Sequence, residues 1–120
     1  MTEFKLFNDI NKLTVWLLPI LGKILRNFRY TLSIRIENTL YDITDVIRTY
    51  EVIKDNELLK TIDIKMKSIS TYIRYANQIK LITEQKHYTF IQQSETIGKQ
   101  LGGWLDNIHK GINEKNRLLL

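Results

Sequence analysis

The chain has 120 residues, 43% hydrophobic and 26% charged, which suits one domain with a modest core, and its net charge of +5 favours a polyanionic partner. Having no cysteine, it excludes disulfides, thiolate metal sites and a cysteine nucleophile, a composition that fits a cytoplasmic protein. No run reaches the roughly 18 apolar residues of a membrane span, and the opening MTEFKLFNDINK lacks the basic-then-apolar layout of a signal peptide.

A first helix is expected from about Asp9 to Leu25, with Ile10, Leu13, Leu17, Ile20 and Ile24 as its seam. Trp16, Leu18, Leu21 and Leu25 widen the apolar surface, enough for a helix that faces the core on one side and a second subunit on the other. Pro19 removes one internal hydrogen bond and should kink or interrupt the helix, or else it opens a new one at the N1 position. Arg26-Asn27-Phe28-Arg29 reads as the first connection, with Asn27 as a cap.

The second helix is expected over Tyr30 to Lys54, its seam formed by Leu32, Ile36, Leu40, Ile43, Ile47 and Tyr50. Asp55-Asn56 is a turn short enough to force the third helix antiparallel to it. That third helix spans Glu57 to Lys80, with Leu59, Ile62, Met66, Ile69, Ile73 and Ala76 as its seam. Leu81-Ile82-Thr83 makes the next turn, Thr83 serving as N-cap and Glu84 suiting the positive end of the last helix.

The last helix should run to about Lys110. One line holds Ile91, Ser94, Gly98, Leu101, Leu105, Ile108 and Ile112; a second beside it holds Phe90, Ile97 and Trp104. Glycine inside a helix costs about 0.5–1 kcal/mol against alanine, so Gly98, Gly102 and Gly103 call for a reason. One is close helix packing along the strip of Ser94, Gly98 and Gly102; the other is a partner approaching there. Trp16, Gly98, Gly102 and Trp104 are therefore the candidates for an oligomer interface or for close packing. The tail 111–120 is expected to fray, its three terminal leucines available to dock on a neighbour. No linker divides the chain. The whole is one all-α domain, an antiparallel up-down-up-down four-helix bundle with its core over about 9–110.

Positive charge is concentrated in two segments. Residues 1–29 and 57–80 each carry five basic against two acidic groups. On the third helix Lys60, Lys67 and Arg74 share one outward heptad position, about 10 Å apart, with Thr61, Ser68 and Tyr75 alongside and no acid within either row. A solvated lysine face is one reading; a stripe tracking phosphates is the other. Lys23, Arg26 and Arg29 of the first segment complete the candidate polyanion surface.

Catalytic constellations are missing. Glu84-x-x-His87 has the spacing of a di-iron ligand pair, but the other pair, Asp106-x-x-His109, lies on the same helix about 30 Å away. No arginine precedes either histidine at the four-to-six-residue spacing of helical-bundle ribonucleases, and no phosphate loop, nucleophile elbow or zinc spacing occurs. The expectation is no enzyme, no metal, no cofactor and no small-molecule substrate.

Trp16-Leu17-Leu18-Pro19, Arg26-Asn27-Phe28-Arg29-Tyr30-Thr31-Leu32, Arg35-Ile36-Glu37-Asn38-Thr39-Leu40 and Ile97-Gly98-Lys99-Gln100-Leu101-Gly102-Gly103-Trp104-Leu105 together resemble the Avd family. These are the accessory variability determinants of diversity-generating retroelements, related to four-helix-bundle proteins encoded in intervening sequences of bacterial ribosomal RNA genes. The resemblance covers about residues 10–108. It implies a homopentameric barrel of bundles with a basic surface, which binds the retroelement reverse transcriptase and nucleic acid and supports error-prone cDNA synthesis and retrohoming. Arg74 falls where the family carries a partner-binding arginine on its third helix. A second family arginine is replaced here by Ser70, and Arg26 matches a basic family position. Two other readings stand beside it: the ribosomal intervening-sequence type without a reverse transcriptase, and a helical scaffold binding a protein through the Trp16 and Trp104 surfaces.

Overall fold

The computed structural model describes residues 3–119, the side chains of Asn116 and Leu119 aside. Four long helices, α1 (Glu3–Gly22), α3 (Ile34–Ile53), α4 (Glu57–Gln78) and α5 (Glu84–Leu119), account for most of them, with no strand among the described residues. A short α2 (Arg26–Phe28) and one π-helical turn (Arg29–Ser33) join α1 to α3. Each long helix packs on two others, α1 on α3, α3 on α4, α4 on α5 and α5 back on α1, so the bundle closes.

The core follows from the three-four spacing. All six expected seam residues of α4, from Leu59 to Ala76, are buried, and an aliphatic side chain so placed contributes roughly 1.5–3 kcal/mol. Leu13 and Leu17 of α1 and Ile36, Leu40 and Ile43 of α3 meet them. Leu32 and Ile47 are only partly buried at its margin. Lys54 ends α3 in the left-handed conformation, and Lys80 adopts it just after α4. There the Leu81 amide donates to the Ala76 carbonyl, the bond of a tight helix end. Thr83 caps α5 as expected, its Oγ1 accepting from the Lys86 amide at 3.2 Å.

Several expectations are corrected. α1 begins at Glu3, not Asp9, because Leu6 is buried and Phe7 lies edge-on to Tyr50 at 5.7 Å. Tyr50 Oη donates to Glu3 Oε1 at 2.9 Å, and Lys54 pairs with Glu3 at 3.2 Å, which fastens the start of α1 to the end of α3. Pro19 neither interrupts α1 nor starts a helix; it and Val15, whose carbonyl loses a donor, are both exposed.

The first connection is helical, not open, and Asn27 does not cap it. Two other side chains hold it instead. Ser33 Oγ donates to the Leu21 carbonyl, and Arg29 Nη2 to that of Gly22, both at 2.8 Å. They satisfy the last carbonyls of α1, where a guanidinium also meets the negative end of the helix dipole.

On α5 the core line is Phe90, Ile97 and Leu101, with Trp104, Leu105 and Ile108 partly buried beside it. The line through Ser94 and Gly98 is split: its Leu101 is buried, but Ser94 lies at the margin and Gly98 is exposed. Phe90 brings far more apolar area than serine or glycine, so the helix turns that side inward.

The last helix does not end near Lys110: α5 continues through Gly111 to Leu119. No glycine among the described residues has a positive φ, so Gly111 does not act as a left-handed stop. Thirty-six residues make a helix about 54 Å long, which explains extents of 58 × 26 × 22 Å. Gln100 lies against Asp9, so α5 passes the level of Glu3 near Asp106 and projects about 20 Å beyond it. Ile112 and Leu118 are exposed there, and Leu120 and the Leu119 side chain lie outside the described residues.

Candidate nucleic-acid interface

Of the three cations expected to form a stripe on α4, two have carboxylate partners. Lys60 pairs with Glu57 at 3.1 Å and Lys67 with Asp63 at 2.9 Å. The acids stand one turn earlier on neighbouring rows, so a search along each row alone overlooks them. Arg74 is different. No carboxylate pairs with it among the described residues, and its guanidinium lies 5.7 Å from the centre of the Tyr75 ring.

Arg74 belongs to the end of the bundle where α1 finishes, α3 begins and α4 finishes. Arg35, in the first turn of α3, reaches across to α4 and lies 5.9 Å over the Tyr72 ring. Tyr72 and Tyr75 are 6.4 Å apart with their planes inclined at 56°, so they do not stack on each other. With Tyr30, Thr31, Leu32, Ile34, Arg35 and Asn38 they line an open groove of about 640 Å³, and no carboxylate lines it. The groove continues along α3 and α4 past Ser68 to Asp42 and Lys65, which face each other at 3.7 Å.

Lys23, Arg26 and Arg29 all lie in the connection at this same end. Lys23 and Arg26 are exposed and without an ion pair among the described residues. Arg29 is committed through one nitrogen to the Gly22 carbonyl, which leaves other guanidinium donors available. The six candidate cations thus divide: Lys23, Arg26, Arg29 and Arg74 gather at one end, Lys67 sits midway, and Lys60 lies in the first turn of α4 at the other end. Arg35 and Tyr72 were missed because they are 37 positions apart. Tyr72 and Tyr75 did leave a signal: two rings standing off the α4 seam.

The second candidate set separates as well. Trp16 and Trp104 are half-buried against the chain's own core. A Cβ built on Gly98, Gly102 or Gly103 would meet nothing within 4 Å, so no helix of this chain packs closely on the small-residue strip. Beside it, Gln100 Oε1 and Trp104 Nε1 are buried with no hydrogen-bond partner among the described residues, and both residues line a recess of about 240 Å³ with Gly103 and Asn107.

Gln100 Nε2 donates to Asp9 at 2.7 Å, and Lys5 pairs with the same carboxylate at 3.0 Å. Burial pushes the Asp9 carboxyl up, but the bonds from Lys5 and Gln100 and the charges of Lys5 and Lys12 outweigh it, holding the pKa below its ordinary value. His87 and His109 join no group of three metal-binding side chains among the described residues, and no described helix is long and apolar enough to cross a membrane.

A family model described as bAvd-like matches residues 5–108. No curated protein and no solved structure gives a match. The matched span takes in α1, α3, α4 and the packed part of α5 and leaves out the projecting end. With an all-helical bundle and a match over most of its length, this chain belongs to the bAvd-like family.

Proposed function

We propose that the protein is a non-catalytic, cytoplasmic accessory factor of a diversity-generating retroelement, which holds RNA or cDNA together with the reverse transcriptase during mutagenic cDNA synthesis and retrohoming. The observation that carries this reading is the coincidence of a bAvd-like match over residues 5–108 with a bundle end whose cations lack carboxylate partners. An arginine left without a carboxylate in a chain of net charge +5 is available to a phosphate. Lys23, Arg26, Arg29 and Arg74 supply the strongest part of that surface. Lys67 and Lys60 extend it along α4 through exposed ion pairs, each worth at most about 1 kcal/mol and readily exchanged for a phosphate.

The protein acts as a homo-oligomer, a homopentamer as the Avd resemblance implies. The outward strip of Gly98 and Gly102 beside Trp104, and the unpartnered Gln100 oxygen and Trp104 N–H, support this. A neighbouring subunit would supply a donor for one and an acceptor for the other, and a buried polar atom left alone costs about 1–3 kcal/mol.

A filter-binding titration against structured RNA at two salt concentrations, with the mass of the same sample from light scattering, tests both halves. The expected result is salt-sensitive binding by a multiple of the 14.3 kDa chain. Replacing Lys67 and Arg74 together with glutamate should abolish binding with helicity intact. A monomer indifferent to RNA would overturn the reading, and RNA binding without capture of the co-expressed reverse transcriptase would favour the ribosomal intervening-sequence type.

A further inference from the structure

A surface that only holds phosphates needs cations; it has no use for displayed rings. Yet Tyr30 is 73% exposed and Tyr75 46% exposed at the mouth of the groove between α3 and α4. Core packing does not account for them, because the α4 seam is already filled by its aliphatic residues. The geometry of the rings also matters. Tyr72 and Tyr75 stand at 56° to each other, and each has a guanidinium within 6 Å of its centre, Arg35 on one and Arg74 on the other. Ring and guanidinium planes are both platforms on which a base can stack.

A duplex offers a helical surface its phosphates and groove edges, while its base faces are hidden in the stack. An unpaired base has a free π-face. The rings here stand beside arginines with no carboxylate partner among the described residues, Arg35 in the lining and Arg74 over the Tyr75 ring that borders it. In the part of the groove that no carboxylate lines, they therefore match a single strand, in which bases and phosphates alternate. We propose that this groove is a single-strand site, where unpaired bases stack on Tyr75 and Tyr30 while Arg35 and Arg74 hold the neighbouring phosphates. Asn38, in the same lining, offers an amide that can bond a base edge. The inference rests on the nucleic-acid reading above and narrows it from RNA in general to unpaired segments.

The test compares the full chain with its Tyr75→Ala, Tyr30→Ala, Tyr75→Phe and Arg74→Gln variants, using fluorescence anisotropy on a short unstructured uridine-rich RNA and on a duplex RNA of equal length. Both tyrosines are exposed enough for truncation to leave the bundle folded, and circular dichroism checks this. Tyr75→Ala or Tyr30→Ala should weaken single-strand binding about five-fold or more, from the usual worth of one stacked base, and leave duplex binding unchanged. Tyr75→Phe keeps the ring and should bind as the parent does. Arg74→Gln should instead flatten the slope of log K against log salt by about 0.7, one phosphate contact on a single strand. Wild-type single-strand affinity in both alanine variants overturns the stacking site while leaving RNA binding in place, as does an equal loss on duplex. A proline-rich peptide that occupies the groove and is not displaced by single-stranded RNA would assign it to a protein instead. No RNA bound even at low salt overturns this inference and the function it rests on together.

Discussion

Cation–ring pairs occur at both ends of the bundle, and they do opposite things. At one end Lys54 lies 5.3 Å over the Tyr50 ring, and Tyr50 is only 3% exposed. Glu3 takes both the phenol proton and the lysine charge as partners, so every group there is matched within the chain. At the other end Arg35 and Arg74 lie over Tyr72 and Tyr75 with no carboxylate between them, and the rings border open space. One missing acid separates a clasp from a pair of cations left without a carboxylate. A charge that the fold has already neutralised contributes to holding the fold; a charge it leaves alone must be solvated, or must find its partner outside.

The largest expected effect belongs to the clasp. Tyr50→Ala removes a buried ring from Phe7 and one of the two partners of Glu3, and should cost about 3–5 kcal/mol in urea unfolding. Tyr50→Phe keeps the packing and loses one hydrogen bond, for about 1 kcal/mol. Neither should change the RNA affinity of the folded protein. If Tyr50→Phe weakened RNA binding as much as Arg74→Gln does, the division of labour between the ends would fail.

A smaller effect is expected at the open end, where Ser33 is 2% exposed and bonds the Leu21 carbonyl. Ser33→Ala removes one of the two donors to that carbonyl, the Ile24 amide at 3.2 Å remaining, and should cost about 1 kcal/mol. The salt slope of RNA binding should be unchanged, because no charge is lost. A stability loss below a few tenths of a kcal/mol would show that the Ile24 amide alone satisfies the carbonyl and that the Ser33 hydroxyl does not hold the connection.

What could be read in the sequence was whatever depends on neighbours along one helix. The α4 seam from Leu59 to Ala76 and the Thr83 cap needed only spacing and side-chain chemistry. The buried side of α5 was harder. Two apolar lines lay side by side, and the buried side took Phe90 and Ile97 from one and Leu101 from the other, according to the area each could bury against the other helices. The clasp joins Glu3 to Tyr50, and the groove joins Arg35 to Tyr72; both contacts depend on how helices are placed in space. The ion pairs of Lys60 and Lys67 were legible at three- and four-residue spacing, and reading along heptad rows hid them. The π-helical turn left no mark in residue type, since its role is to bring Ser33 under the end of α1.

The smallest effect is carried by Asp9, and it is a pH effect. Its pKa lies below the ordinary 3.8 in the folded chain, so its stabilising contribution is present above the unfolded value and disappears as pH falls through the folded one. Asp9→Asn should therefore be less stable than the parent at neutral pH, by up to about 1 kcal/mol for a partly exposed pair. The gap should shrink below about pH 3.8 as the parent loses the same charge. There is a structural consequence too. An ionised carboxylate only accepts, so it fixes which atom of the Gln100 amide faces it and leaves Oε1 as the unpartnered one. The side-chain amide introduced by Asp9→Asn could donate as well as accept, and Gln100 would be free to turn its nitrogen toward the recess beside Trp104. If a neighbouring subunit bonds Gln100 Oε1 there, Asp9→Asn should weaken the oligomer by light scattering at neutral pH more than its stability loss alone explains. An unchanged dissociation midpoint would place the subunit contact elsewhere on α5.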